Sequence, residues 1–212
     1  MKYRMPAEWE PHEGTWIAWP HNKSHWPGKF KPIPRVFARV IREIATSEKV
    51  FVCVKNKKME ISARRLLGKN LFNVHFYHIP TNASWSRDCG PIIVYDKNEN
   101  RVILDWVYNA WGGKYPPWDK DDAVPKKIAE IFGLPIVQPG IVLEGGSIDV
   151  SGKGTLITTR QCLLNKNRNP HLNKRQIEGY LKKYLGVTNI LWLDEGIVGD
   201  DTDGHVDDIA KF

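Results

Sequence analysis

Four times along this chain, an acidic residue or a histidine stands four residues ahead of an isoleucine in a β-rich run. The pairs are Glu13/Ile17, Asp88/Ile92, Glu144/Ile148 and His205/Ile209. Their spacing, roughly 55–75 residues, is long enough for a strand, a hairpin, a helix and a return strand, as in proteins built from repeated units. If such units surround an axis, the leading side chains of the last three meet at a common centre, and each unit depends on its neighbours to cover its apolar flank.

Short β-rich runs alternate with helical ones along the chain, which predicts an α/β fold. The predicted strands are 15–19, 50–54, 74–79, 91–95, 102–108, 136–138, 147–150, 155–158 and 190–193. Helical spacing of apolar residues predicts helices over 34–47, 59–67, 118–132 and 173–185. The last helix carries the clearest boundaries, because Asn173 can cap its start and Gly186 follows its end.

The composition limits the classes of protein to which this chain can belong. With 212 residues, 42% of them hydrophobic, the chain can bury a core of its own. It has no apolar run of about 20 residues and no signal-like opening, so we expect a soluble, cytoplasmic protein that does not bind membranes. Three scattered cysteines predict reduced thiols. The net charge of +7 is spread along the sequence without a dense basic stripe, so nucleic acid is not an expected partner.

The segment Asp203-Gly204-His205-Val206-Asp207 is the sharpest candidate for chemistry. If it is extended, His205 and Asp207 point to one side while Val206 faces the core, so that a base and a carboxylate share one face. Ionised carboxylates lose hydration on burial and need a cationic partner in return. The surrounding aspartates favour protonated His205, which suits proton donation to a leaving group.

Two further carboxylates stand beside turn residues. Asp88 precedes Gly90 and Pro91, which predicts either a surface turn or a site residue at the start of a strand. Glu144 is followed by two glycines, which permit close approach of a ligand but also make an ordinary flexible corner.

Metal binding uses the same residue types. The run from Asp201 to Gly204 is a poor calcium loop, because the position of its last ligand falls on Phe212. The cysteines show no zinc-ligand spacing. A mixed Asp/His site for another divalent metal stays open as an alternative. Otherwise, neither a metal nor a cofactor is expected.

The chain resembles the agmatine deiminases, a family that also includes bacterial peptidylarginine-deiminase-like proteins. Five motifs in the same order carry the resemblance: Met5-Pro6-Ala7-Glu8-Trp9-Glu10-Pro11-His12, Trp85-Ser86-Arg87-Asp88-Cys89-Gly90-Pro91, Asn109-Ala110-Trp111-Gly112-Gly113-Lys114-Tyr115, Leu143-Glu144-Gly145-Gly146-Ser147-Ile148-Asp149-Val150 and Asp203-Gly204-His205-Val206-Asp207. It implies the pentein fold, an α/β propeller of ββαβ units around a pseudo-fivefold axis. Here that propeller would be incomplete, with about three units and the start of a fourth.

The resemblance also implies roles for individual residues. Asp88 and Asp207 would hold a substrate guanidinium, with Trp85 as a further substrate contact, and Glu144 and His205 would complete the catalytic group. A planar guanidinium offers donors in a fixed fork that carboxylates satisfy in pairs. The reaction implied is hydrolysis of agmatine to N-carbamoylputrescine and ammonia, a step of polyamine biosynthesis that leads to putrescine.

One part of the family pattern has no counterpart here. The family's nucleophilic cysteine lies near the carboxy terminus in a glycine-rich segment, and Cys53, Cys89 and Cys162 do not match it. Cys53 lies in an apolar run, and Cys89 would point away from the site in an extended strand. We therefore expect residues 1–212 to form a single, truncated domain that lacks its carboxy-terminal units and is inactive alone. We also expect its open edge to favour association into a homo-oligomer.

Two functions of other classes stay open. The chain could be a noncatalytic guanidine-binding or subunit-interaction module that keeps Asp88 and Asp207. It could also be a divalent-metal hydrolase that uses the Asp/His cluster.

Overall fold

The computed structural model describes residues 2–69 and 71–212. The chain forms two compact units. The first consists of Met1–Glu10, Arg87–Pro117 and Asp122–Phe212, and the second of Pro11–Ser86 and Trp118–Asp121. Helices and strands both contribute to the fold, so the predicted α/β class is confirmed. Within the described residues, no helix combines the length and apolar character needed to cross a membrane.

Strands and helices follow each other along the chain. The strands are β1 (Tyr3–Arg4), β2 (Gly14–Ala18), β3 (Lys49–Cys53), β4 (Val74–Tyr77), β5 (Ile92–Asp96), β6 (Arg101–Leu104), β7 (Ile136–Val137), β8 (Ile148–Val150), β9 (Thr155–Thr159) and β10 (Asn189–Leu193). The α-helices are α1 (Ile33–Ile44), α2 (Lys57–Leu67), α3 (Ser86–Cys89), α4 (Ala110–Gly113), α5 (Asp119–Asp122), α6 (Val124–Phe132), α7 (Arg160–Leu163) and α8 (Lys174–Leu185). Short 3-10 helices cover Lys23–His25, Gly145–Ser147 and Val206–Asp208.

The second unit is built on a parallel three-stranded sheet in the order β2-β3-β4. Parallel neighbours require crossover connections, and α1 and α2 supply them. The central strand β3 is buried along four of its five residues, as its run of Val, Phe, Val and Cys predicts. The core of this unit contains buried side chains from the sheet and from both helices: Trp19, Ala38, Ile41, Val50, Val52, Val54, Ala63, Leu67 and Val74.

The first unit contains two sheets. One is mixed and has the order β1-β5-β6-β7, and the other has the order β10-β9-β8, with β9 parallel to β10 and antiparallel to β8. A single apolar cluster includes Val94, Leu104, Ile148, Leu156 and Leu181, all fully or almost fully buried. Asp88, Glu144, His205 and Asp207 all belong to this unit.

The boundaries of α8 confirm the sequence prediction. The Asn173 side chain accepts a hydrogen bond from the Gln176 backbone, and the Gln176 side chain accepts one from the Asn173 backbone, which forms a capping box. Gly186 ends the helix in the left-handed conformation, with φ of 69°. A side chain at Gly186 would also collide with the backbone of Tyr3, so β1 approaches closely only because this residue is glycine.

Several predicted elements are wrong in extent. The helix predicted over 118–132 is two helices, α5 and α6, because Pro125 lies in the first turn of the second, where its missing N–H costs nothing. The strand predicted over 102–108 ends at Leu104. Ile209 follows the last 3-10 helix and lies in no strand, so the fourth acidic-or-histidine pair does not introduce a β-run as the first three do.

Candidate active site

Asp88 is a buried carboxylate at the end of a short helix. It lies in α3 rather than in a surface turn or an extended strand, and it is 9% exposed. The Trp111 indole donates a hydrogen bond to its Oδ2 atom (3.2 Å), and the Gly146 backbone N–H donates one to its Oδ1 atom (3.1 Å). These neutral donors leave the carboxylate without a cationic side chain as hydrogen-bond partner among the described residues. Its charge is therefore available to a cation from outside.

His205 and Asp207 lie at the beginning of the last 3-10 helix. The prediction of an extended Asp203–Asp207 segment is wrong, because Val206–Asp208 turns into this helix and buries Val206 completely. The two side chains nevertheless lie near each other, with His205 Nδ1 4.0 Å from Asp207 Oδ1. His205 Nδ1 is also 3.5 Å from Asp88 Oδ1. The imidazole thus lies within reach of both carboxylates.

Glu144 is fully buried and is held by a buried arginine. Arg168 Nε donates to Glu144 Oε1 at 2.8 Å, and both side chains have no exposed surface. The same guanidinium also bonds Asp203 and the Thr202 backbone carbonyl. Glu144 Oε2 and His205 Nε2 are buried without a hydrogen-bond partner among the described residues. Two polar atoms that are costly to leave unpaired therefore remain for a ligand.

Gly146 shows how tightly the groups converge. A methyl group on its Cα would overlap His205 Nδ1, Asp88 Oδ1 and Asp207 Oδ2. The glycine thus provides the space in which an imidazole and two carboxylates come together. The convergence of Asp88, Glu144 and His205 that the repeat predicts is a feature of the structure.

Burial and like charge control the electrostatics of Asp88. Burial and, to a smaller extent, the neighbouring carboxylates Glu144 and Asp207 raise its pKa to about 7, against the two hydrogen bonds that lower it. Burial also raises the pKa of Glu144, although Arg168 opposes that shift. The pKa of Asp207 is raised by burial too, with Arg87 opposing. Three carboxyl groups in this cluster are therefore harder to ionise than free ones, and a bound cation would reverse that.

His205 is neutral at physiological pH. Burial and, to a smaller extent, Arg168 lower its pKa to about 4, although Asp200 and Asp203 act in the opposite direction. The expectation that nearby aspartates keep this histidine protonated is wrong, because desolvation and the buried guanidinium outweigh their charge. A neutral imidazole is a proton acceptor in the resting site.

The three cysteines are buried. Cys89 belongs to α3 rather than to an extended strand. Cys162 lies next to the cluster, since its Sγ atom and one ligand atom each of Glu144 and His205 are within 4.8 Å of one another. Burial raises the pKa of Cys162 well above its ordinary value, and that of Cys53 to about 12. Both are therefore protonated thiols, unlike nucleophilic cysteines, whose pKa is lowered.

The same three groups define a possible metal site. Glu144, Cys162 and His205 offer an oxygen, a sulfur and a nitrogen, a mixed set that soft or borderline metals accept. A dication there would lie beside the Arg168 guanidinium, which already pairs with Glu144 at 2.8 Å. Repulsion between the two cations disfavours a dication at this place.

Trp85 belongs to the second unit, where its side chain is 41% exposed. Its indole stacks on Trp26 with ring centroids 5.7 Å apart and donates a hydrogen bond to His25 Nδ1. Its role as a substrate contact stays a prediction.

Sequence reasoning did not single out the arginines of the site. Arg87 adjoins Asp88 in the chain, and its Nε atom lies 3.3 Å from Asp207 Oδ2 while its Nη1 atom bonds Glu8. The only sequence signal for Arg87 is its position beside Asp88 in the motif Trp85–Pro91. Arg168 lies outside every quoted motif, so no local pattern could have assigned it to Glu144.

Comparisons with known proteins give the family of this chain. The sequence profile of the Porphyromonas-type peptidyl-arginine deiminases matches residues 4–212. The chain belongs to that family. It is 46% identical over 215 residues to the agmatine deiminase of Pseudomonas aeruginosa, covering 99% of this chain and 58% of that one.

Two solved structures are similar to this chain. The agmatine deiminase of Enterococcus faecalis is 40% identical with a TM-score of 0.92, over 100% of this chain and 58% of that chain. A cysteine-to-serine variant of C. jejuni agmatine deiminase with substrate bound is 36% identical with a TM-score of 0.90, over 100% of this chain and 62% of that chain. The α/β fold thus matches those of agmatine deiminases. The chain spans 56% to 59% of the length of the curated relatives it matches.

The crowding at Gly146 predicts a large effect of one methyl group. We expect Gly146→Ala to lower the free energy of unfolding by about 1–3 kcal/mol, because Asp88, His205 and Asp207 must all move. Gly179→Ala is the matched control, since Gly179 lies in α8 with open space around its Cα and should gain about 0.5–1 kcal/mol. Urea unfolding followed by circular dichroism measures both. Equal effects of the two substitutions would contradict the crowded site.

The raised pKa of Asp88 predicts a pH-dependent stability. Its folded pKa of about 7 lies above its ordinary value of 3.8. Its contribution to stability is therefore fully present below about pH 4 and is lost as the pH rises through 7. Asp88→Asn cannot ionise, so its free energy of unfolding should improve relative to the unmodified chain by about 2–3 kcal/mol between about pH 5 and about pH 8.

Asp96→Asn serves as the control for this experiment. Hydrogen bonds from Asn100 lower the pKa of Asp96, so it is ionised in both the folded and the unfolded state over this pH range. Its substitution should show no gain. A flat difference for Asp88→Asn, measured by urea unfolding at both pH values, would argue against a protonated Asp88.

Proposed function

We propose that this chain supplies the guanidinium-binding and proton-transfer groups of an agmatine deiminase, which converts agmatine and water to N-carbamoylputrescine and ammonia. The observation that carries the proposal is the convergence of an imidazole and two carboxylates around Gly146, with Glu144 buried beside them. Membership of the family and similarity to agmatine deiminases support this substrate.

Asp88 and Asp207 bind the substrate guanidinium in this proposal. A guanidinium presents its N–H donors in a plane, and two carboxylates can accept from different edges of it. Asp88 is partly protonated near neutral pH, because burial raises its pKa to about 7. An arriving cation lowers that pKa, so substrate binding releases a proton and creates the ionised carboxylate that holds it.

His205 and Glu144 handle the protons. The neutral His205 takes the proton of an attacking thiol as sulfur bonds to the guanidinium carbon, and returns it to the departing ammonia as the C–N bond breaks. It then takes a proton from the water that attacks the same carbon and gives it to the departing sulfur as the C–S bond breaks, which restores both the thiol and the neutral imidazole. Glu144 Oε2 and His205 Nε2, which lack partners among the described residues, are the atoms available for this work.

The nucleophile is not one of the cysteines of this chain. Cys53, Cys89 and Cys162 are buried, and a thiol whose pKa is raised reacts poorly. We propose that the nucleophile is a cysteine in the part of the relatives' length that this chain does not span. In the same proposal residues 1–212 form a single truncated domain, part of a pentein propeller of ββαβ units, and its open edge favours association of copies.

Binding of agmatine to the purified chain tests the guanidinium site. We expect saturable binding in calorimetric titration, weakened about tenfold or more by Asp207→Asn, because loss of a charge-assisted pair costs about 1.5–3 kcal/mol. Asp208→Asn is the matched control, since the adjacent Asp208 is exposed and should leave affinity unchanged. An equal loss in both variants would show a general charge effect, and no binding by the unmodified chain would refute the site.

Catalysis is a separate test. We expect the purified chain to release no ammonia from agmatine above the uncatalysed rate, because covalent catalysis is lost with its nucleophile. A coupled ammonia assay measures this, with a complete agmatine deiminase as the positive control. Ammonia release that Cys162→Ser removes would identify Cys162 as the nucleophile and contradict the proposal.

A noncatalytic guanidine-binding module is the second candidate, because every cysteine of the chain is buried. This alternative predicts the same binding of agmatine. It also predicts that no form of the protein releases ammonia from agmatine, even a form as long as the relatives.

A further inference from the structure

A cavity of about 560 Å³ opens in the second unit. Its volume lies in the range of small-molecule sites, about 300–1,000 Å³. One wall is the segment after β2, including Trp19 and His21, and another is the segment after β3, including Asn56 and Lys58. The cavity therefore lies beyond the carboxyl ends of two neighbouring parallel strands, the place where open α/β sheets bind ligands.

The charge of this cavity has one sign. Lys31, Arg35 and Lys58 line it, and no aspartate or glutamate does. All three cations are exposed, and none forms an ion pair with any residue that the structure describes. Bringing three like charges to one concave wall is unfavourable without a counter-charge. The arrangement is complementary to a multiply charged anion.

The helix that follows β3 adds to this potential. α2 begins at Lys57, with the Asn56 side chain capping it by accepting a hydrogen bond from the Met59 backbone. The first turn of this 11-residue helix lines the cavity through Lys58 and Met59. A helix N-terminus carries partial positive charge, which reinforces the three side chains.

The cavity also has an apolar part. Phe30, Pro34, Met59 and Leu66 are partly buried and line it, together with the uncharged polar side chains of Asn56 and Ser62. An inorganic ion would leave this surface in water. A molecule with an apolar or aromatic body and a dianionic end would use both parts of the lining, and Arg35 suits phosphate because its planar fork bonds two oxygens at once.

We propose that this cavity binds a small organic phosphate, with the phosphate held by Lys31, Arg35 and Lys58 and the organic part held against the apolar wall. The site uses residues of the second unit only and does not depend on the proposed deiminase function.

The test is calorimetric titration of the chain with AMP, inorganic phosphate and adenosine at low salt. We expect saturable binding of AMP near one per chain, with at least about tenfold weaker binding of phosphate and of adenosine. AMP affinity should fall as sodium chloride rises from about 50 to about 300 mM. Equal affinity for AMP and inorganic phosphate, or no AMP binding, overturns the proposal.

Variants locate the site. Arg35→Ala and Lys58→Ala should each weaken AMP binding about tenfold. Arg39→Ala is the matched control, since Arg39 is an exposed cation on the same helix as Arg35 but does not line the cavity. Circular dichroism before titration confirms that each variant is folded. An equal loss in Arg39→Ala would assign AMP binding to the general positive charge of the chain and overturn the proposal.

Discussion

The buried pair between Arg168 and Glu144 is the interaction on which the candidate site depends. Neither side chain has exposed surface, and the guanidinium holds Glu144, Asp203 and the Thr202 carbonyl together. Without this cation, a fully buried carboxylate would be left with an uncompensated desolvation cost. The pair also fixes the segment from Thr202 to His205, and so sets where the imidazole lies.

The other two carboxylates of the cluster, Asp88 and Asp207, are not paired with a buried cation as Glu144 is. Among the residues that the structure describes, Asp88 accepts hydrogen bonds only from neutral donors, and Asp207 shares Arg87 with Glu8. Burial raises both pKa values, and at Asp207 the Arg87 guanidinium opposes part of that rise. A site with partly protonated carboxyl groups favours a cationic ligand. The bound ligand supplies the positive charge that stabilises the ionised carboxylates.

The two units present opposite electrostatic features. The first gathers carboxylates and a neutral histidine around a glycine, while the second surrounds a cavity with unpaired cations. The modest net charge of the whole chain conceals this contrast, because opposite local excesses cancel in the sum. Local charge and desolvation, rather than total charge, therefore indicate the class of ligand at each place.

The sequence by itself determined the α/β class, the positions of most strands, the capped boundaries of α8 and the choice of Asp88, Glu144 and His205 as residues that meet. These follow from local periodicity, capping chemistry and repetition of a pattern, which act over a few residues or recur along the chain. Only the tertiary structure decided that Val206–Asp208 is a 3-10 helix, that His205 is neutral and that Arg168 pairs with Glu144. Burial and long-range pairing set those properties, because desolvation depends on which distant segments cover a side chain.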